Sequence, residues 1–274
     1  MTTHTHGIPE NQGERPPAVA GTFYPADAGE LRREVEAFLA AGDDADGTLP
    51  IRALVVPHAG YVYSGPIAGT AYARLRRRDT PVRRVVLLGP SHRVTFRGLA
   101  VPGTTSFRTP LGSVRLDREA IEQVLTLPQV IESDLAHAQE HSLEVHLPFL
   151  QTVLGDDFRL LPVVVGDADP QAVAALIETF WDDPGTLFVI SSDLSHYLGY
   201  ADARHIDRLT AQAIERLAPQ AIGYEQACGR IPLQGLLLAA QRHGLHAHTL
   251  DLRNSGDTAG PRDRVVGYGA WTFA

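Results

Sequence analysis

The chain has 274 residues, 44% of them hydrophobic and 20% charged, with a formal net charge of −8. At roughly 100–200 residues per domain this is one large or two small soluble domains, and the acidic balance argues against a broad nucleic-acid footprint. The one cysteine, Cys228, excludes an intrachain disulfide and fits a reducing compartment.

In chain order, residues 1–16 are polar, carry no hydrophobic period and read as a mobile arm, leaving 17–274 as a single domain. The segment Met1–Gly7 lacks the apolar core of a signal peptide, and no apolar run reaches the ~18 residues of a membrane span. A cytoplasmic protein without membrane contact is expected. With Met1 removed, Thr2-Thr3-His4 would offer an amine, two amides and an imidazole, a planar set suited to Cu(II) or Ni(II).

A helix is expected over Asp27–Ala41, with Asp27 as N-cap and Glu30 completing a capping box. The Gly42–Gly47 patch reads as a loop. Strand Arg52–Val56 leads to helix Ser64–Arg78, whose closing Arg74 and Arg76–Arg78 complement the helix dipole rather than bind phosphate. Strand Arg84–Leu88 precedes helices Asp117–Thr126 and Ser142–Leu154. Strand Leu160–Val165 follows, then helix Asp169–Trp181 with Pro170 in its first turn. Strand Thr186–Ile190 and helices Ala203–Leu217 and Pro232–His243 come next. The strands are continuous apolar runs, as in parallel sheets covered on both faces. Asn254–Gly260 reads as a surface turn, while Leu245–Leu252 and Arg264–Phe273 suggest an antiparallel addition. The fold class is α/β, a mixed and largely parallel sheet sandwiched by helices.

Three strands run into polar residues that packing does not require. They are Pro57-His58-Ala59-Gly60-Tyr61, Gly89-Pro90-Ser91-His92 and Ser191-Ser192-Asp193-Leu194-Ser195-His196. Loops beyond the carboxyl ends of parallel strands line the ligand crevice. Each histidine alone could be a loop hydrogen bond, but three at equivalent positions point to metal ligation or proton transfer. Cys228 precedes a helical run, where the dipole would lower its pKa, although a lone cysteine can equally be a small buried hydrophobe.

In Glu140-His141-Ser142-Leu143-Glu144-Val145-His146-Leu147-Pro148 the two histidines are five apart, about 140° around a regular helix. They do not form the zincin pair, which needs a spacing of four. Glu140 or His141 at the helix entrance could reach the crevice, whereas Glu144 and His146 orient or pack. Phosphate-loop, dinucleotide and nucleophile-elbow motifs are absent. A triad of Ser191 or Ser192 with Asp193 and His196 is too local, so Asp193 reads as a partner fixing a histidine tautomer or anchoring its loop.

The ordered set from Val19-Ala-Gly-Thr-Phe-Tyr-Pro25 through Pro57–Tyr61, Gly89–His92, Glu140–Pro148, Ser191–His196, Cys228-Gly-Arg230 and Asn254–Asp257 resembles the Memo-like family, also called AmmeMemoRadiSam system protein B. The resemblance implies a fold related to class III extradiol dioxygenases, which open catechol rings with non-haem iron. It implies His58, His92 and Cys228 as metal ligands and His196, helped by Asp193, as acid/base. Tyr61, His141, Glu140 and Arg230 would border the pocket. Those dioxygenases use a carboxylate as third ligand; a thiolate there is softer and oxidisable, which suits iron or copper and allows zinc. The family name implies AmmeMemoRadiSam system protein A and a radical-SAM protein as partners.

The leading expectation is therefore redox or oxygenase-related chemistry at a two-His, one-Cys metal site. The alternatives are a non-catalytic binding or adaptor protein, keeping the pocket for a small molecule, a peptide partner or metal handling, and a metal-dependent hydrolase.

Overall fold

The structure, a computed structural model, describes residues 13–42, 50–78 and 80–274. Thr2-Thr3-His4 and most of the Gly42–Gly47 patch lie outside the described residues. The first part of the chain forms β1 (Glu14–Arg15), α1 (Ala28–Ala41), β2 (Ala53–Val56), α2 (Tyr61–Ala73) and β3 (Arg84–Pro90). Next come β4 (Leu99–Val101), the hairpin of β5 (Ser106–Thr109) and β6 (Gly112–Arg115), α3 (Arg118–Val124) and β7 (Val130–Glu132). Three short helices follow: α4 (Asp134–Ala138), α5 (His141–Glu144) and α6 (Leu147–Leu154). The chain continues through β8 (Arg159–Val165), α7 (Pro170–Glu178), β9 (Thr186–Ser191), β10 (His196–Leu198) and α8 (Tyr200–Glu215). It ends with α9 (Arg230–His243), β11 (Ala247–Asn254), α10 (Ser255–Thr258) and β12 (Val265–Phe273).

The main sheet runs β10-β12-β2-β9-β3-β8-β4-β7, with β11 also paired to β12. Its centre, β2-β9-β3-β8, is parallel. Those strands are Val-, Leu- and Ile-rich and buried on both faces, which requires the helical crossovers that cover them. The chain passes from β2 to β3 and leaves between them the slot that β9 later fills. That reversal sets the carboxyl ends of β2, β9 and β3 side by side, a topological switch point. The tail pair β11–β12 is antiparallel, as its alternating pattern implies, and joins the sheet along β2.

Local chemistry places the helix starts. Asp27 accepts the Glu30 N–H at 2.8 Å, which is the Asp27 half of the expected box. Asp169 accepts the Gln171 N–H at 2.9 Å, with Pro170 at the first helical position. Arg74–Arg77 forms a tight 3-10 turn continuing α2.

Three expectations are corrected. The helix foreseen over Ser142–Leu154 is two helices, α5 and α6, because Pro148 cannot lie in a helix interior and instead occupies the first turn of α6. The mobile arm does not extend to residue 16. Arg15 is 4% exposed, and its guanidinium donates to Glu144 Oε2 at 2.6 Å and to the carbonyls of His137 and Glu140. Asn254 is not part of a surface turn: it is buried and caps α10, with Asp257 Oδ2 accepting its N–H.

Among the described residues, no helix is long and apolar enough to cross a membrane.

Candidate metal centre

β2 delivers His58, β3 leads to His92, and β9 leads into the Asp193 loop against which Cys228 is stitched. One ligand atom from each of His58, His92 and Cys228 lies within 4.8 Å of the others. Cys228 Sγ is 3.3 Å from His58 Nε2. Donors sharing one tetrahedral ion with bonds of ~2.0–2.3 Å would stand about 3.3–3.6 Å apart. His92 and Cys228 line a groove of about 480 Å³, together with His196, Tyr197 and Arg230. His58 lies beneath it, 2% exposed.

The loops are tied together by backbone. Asp193 Oδ1 accepts the His58 N–H at 2.7 Å. The Asp193 N–H donates to Cys228 Sγ at 3.3 Å, while the Cys228 N–H donates back to the Asp193 carbonyl at 3.2 Å. Gly229 permits this approach, since a Cβ there would stand 2.4 Å from the Ser191 carbonyl oxygen. Asp193 is therefore a loop anchor, one of the roles expected of it. Burial pushes its carboxyl up to about 6, against the pull of the His58 N–H.

Both imidazoles are held through Nδ1, which leaves Nε2 for an ion. His58 Nδ1 meets Ser191 Oγ at 2.6 Å. His92 Nδ1 meets Glu140 Oε1 at 3.0 Å, and the His92 N–H donates to Glu140 Oε2 at 2.6 Å. Burial would raise the Glu140 carboxyl, but the bonds and charge from His92, with the Ser142 N–H, bring it down to about 2. Burial and the neighbouring His92 keep His58 neutral, well below its ordinary value.

The helix-dipole expectation for Cys228 is overturned. Burial and then the Asp193 carboxylate push the thiol well above its ordinary value. A thiolate at this place needs a cation beside it. The donor set fits a metal on that ground: each imidazole keeps Nε2 clear of its supporting partner, and a sulfur would release its proton on coordination.

The remaining predicted residues divide. His196 and Arg230 border the groove. The His196 Nδ1–H donates to the Leu194 carbonyl at 2.8 Å, leaving Nε2 free. Tyr197 beside it adopts φ 59°, a left-handed conformation uncommon for a tyrosine. Glu140, 1% exposed, stands behind His92 rather than at the groove. His141 also stands behind, its ring near-parallel to His92 at 28° with centroids 4.7 Å apart. His92, Glu140 and His141 bring further donor atoms within reach of one another. An ion between two such near-parallel rings would leave at least one ring plane, so these groups support His92 instead. Tyr61 does not reach the groove: it is 2% exposed, and its hydroxyl donates to the Val145 carbonyl in the core.

Two residues lie one layer deeper, and the partners of the first are not ones the sequence suggested. Ser191 is fully buried against His58 and His146. Glu144 accepts from Arg15, the Ala18 and Val19 N–H groups and Tyr24, so it packs the N-terminal segment and does not ligate.

Comparisons with known proteins agree with this architecture. A family model described as Memo-like protein matches residues 15–272. A MEMO1 family protein of Ignicoccus hospitalis is 39% identical, covering 94% of this chain and 98% of the relative. A MEMO1 family protein of Aquifex aeolicus is 36% identical, covering 93% and 97%. The solved structure of the uncharacterized protein JW3007 from Escherichia coli K12 shares the fold, with a TM-score of 0.54 at 14% identity, covering 81% of this chain and 99% of that one. The match runs through every loop that builds the candidate centre, and the chain belongs to the Memo-like protein family.

Proposed function

We propose that this chain is a metal-dependent protein of redox or oxygenase type, with His58, His92 and Cys228 as ligands. The observation that carries this reading is the meeting of two imidazole nitrogens and one sulfur, with His92 and Cys228 lining a groove and His58 buried beneath it. When bound, an iron or copper ion, or zinc as a further choice, would supply Lewis acidity, and the first two would also supply electron transfer. Cys228 would lose its proton on binding and so neutralise part of the ion's charge.

The chain's own residues then have separable tasks. Glu140 and Ser191 orient the two histidines. Asp193 holds the His58 and Cys228 loops in register. His196, tied through Nδ1–H to the Leu194 carbonyl, has Nε2 available to take or deliver a proton at the groove. Arg230, also on the groove, offers a guanidinium to an anionic group of a small ligand.

The test is metal content after anaerobic purification, measured by mass spectrometry. Near-stoichiometric iron or copper in the parent chain, lost in His58→Ala and Cys228→Ala, is the expected result. Unchanged content in both variants removes the site. A second reading, metal handling without turnover, draws on the sulfur donor in place of a carboxylate. Oxygen consumption over a panel of catechols separates the two: turnover that depends on His196 supports the enzyme, and its absence with metal bound supports handling.

A further inference from the structure

Ser191 lies at the centre of a buried polar chain that reaches far from the groove. Its Oγ is 2.6 Å from the Ser142 carbonyl oxygen, 2.6 Å from His58 Nδ1 and 2.9 Å from His146 Nε2. His146 Nδ1 in turn lies 3.0 Å from the Tyr72 hydroxyl. Ser142, Tyr72 and Ser191 are fully buried, with His146 at 1% and His58 at 2% exposure.

The positions of the protons follow from what each group can give. A hydroxyl carries one proton and two lone pairs. A carbonyl oxygen can only accept, so at 2.6 Å the proton between it and Ser191 Oγ must belong to the serine. Without that proton two lone-pair-bearing oxygens would face each other in a dry interior. The serine's donor is then used, and both imidazole nitrogens that touch Oγ must bring their own protons. His58 therefore carries its proton on Nδ1 and His146 carries its proton on Nε2. Neutral His146 leaves Nδ1 as an acceptor, which the Tyr72 hydroxyl fills. Every member of the chain is satisfied by this one arrangement.

We propose that Ser191 is a positioning residue that fixes His58 as the Nδ1–H tautomer, so that Nε2 presents its lone pair to the metal, with the Ser142 carbonyl and His146 holding the hydroxyl in that role and Tyr72 closing the far end of the chain. The inference rests on the metal-site reading for its purpose, but the proton arrangement belongs to the chain alone. It also explains why His146, next to a candidate ligand motif, is not a ligand: its Nε2 is engaged by the serine.

The test begins with the full-length, metal-stripped chain labelled with ¹⁵N-histidine. Long-range ¹H–¹⁵N correlations, assigned with His58→Ala, should report His58 as Nδ1–H; an Nε2–H pattern overturns the proposal without any need for a variant. Ser191→Ala should give a mixed tautomer at His58. It should also weaken Zn(II) and Co(II) binding, measured by chelator competition, by roughly 10–100-fold. A pure Nδ1–H form with unchanged affinity would overturn the role of the serine. His146→Gln keeps an N–H donor at the Nε2 position and should retain affinity, whereas His146→Leu should not. If the parent chain binds neither metal while His58 is Nδ1–H, the metal-site reading falls and the tautomer assignment stands. If metal binds tightly and His58 is Nε2–H, the reverse holds.

Discussion

The two histidines of the candidate centre are held alike and supported differently. His58 rests on a neutral hydroxyl, Ser191, backed by His146 and Tyr72 in a fully buried chain. His92 rests on an ionised carboxylate, Glu140, whose own backbone is braced by Arg15 from the N-terminal segment. Both supports leave Nε2 free, yet only one adds a negative charge to the centre. An ion bound there would take its charge balance from the Glu140 side and Cys228, and its rigidity from the Ser191 side. The comparison teaches that orientation and charge compensation can be assigned to separate elements of one fold.

Removing either ligand should erase the difference between the halves. His58→Ala and His92→Ala should each lower Zn(II) affinity beyond the roughly 10–100-fold expected for an outer partner, as read by chelator competition. A variant that binds like the parent would place its histidine outside the centre.

Stability should divide the halves instead. Glu144 is fully buried, and the Arg15–Glu144 pair at 2.6 Å compensates its charge. Arg15→Ala leaves that carboxylate alone and should cost roughly 3–5 kcal/mol in urea denaturation. A loss below 1 kcal/mol would show that the N-terminal segment does not brace the Glu140 side.

His137 on the same side gives a pH signature. Burial is the main cause that lowers it from 6.5 to about 4. The folded form keeps it neutral while the unfolded chain takes a proton, so its contribution is complete above pH 6.5 and is lost as pH falls to about 4. At about 1.4 kcal/mol per unit that is about 3 kcal/mol. His137→Gln should flatten the acid limb of stability against pH; an unchanged limb would show that His137 does not carry it.

Much of this was legible in the sequence, for definite reasons. The four central strands are apolar runs buried on both faces, and three of them close on polar residues that packing does not require. Short elements were not legible. β4 and β7 have three residues each, and Ile131 of β7 is 43% exposed, so neither presents a pattern longer than chance. The break between α5 and α6 was written in Pro148, but the apolar period across it reads as continuous. That break also removes the premise of the 140° argument, which assumed a regular helix through His141 and His146. Ser191 stands out at a strand end, but nothing in the sequence names its partners. Only the three-dimensional meeting with His58, His146 and the Ser142 carbonyl reveals its load. Tyr61 was misassigned for the converse reason: it follows His58 by three residues, but α2 begins there and turns its ring into the core.

Charge compensation is broken most cleanly by Glu140→Gln. The carboxylate accepts the His92 N–H, His92 Nδ1–H and the Ser142 N–H at once. An amide would present its own N–H groups to one of these donors and would carry no charge. Metal affinity should fall by about 10–100-fold, and most strongly for the more highly charged oxidation state of a redox metal. Equal losses for both oxidation states would show that Glu140 orients His92 without compensating charge.

The smallest effect should come from the far end of the neutral chain. Tyr72→Phe removes the hydroxyl that donates to His146 Nδ1 and leaves that buried nitrogen unpaired, at a cost of about 1 kcal/mol in denaturation. The protons around Ser191 do not depend on Tyr72, because the Ser142 carbonyl takes the serine's proton and His146 then donates from Nε2 whether or not its Nδ1 is paired. Zn(II) affinity should therefore stay at the parent value while stability falls. If affinity falls together with stability, the chain from Tyr72 to His58 works as one cooperative unit, and the neutral support extends through the whole thickness of the fold.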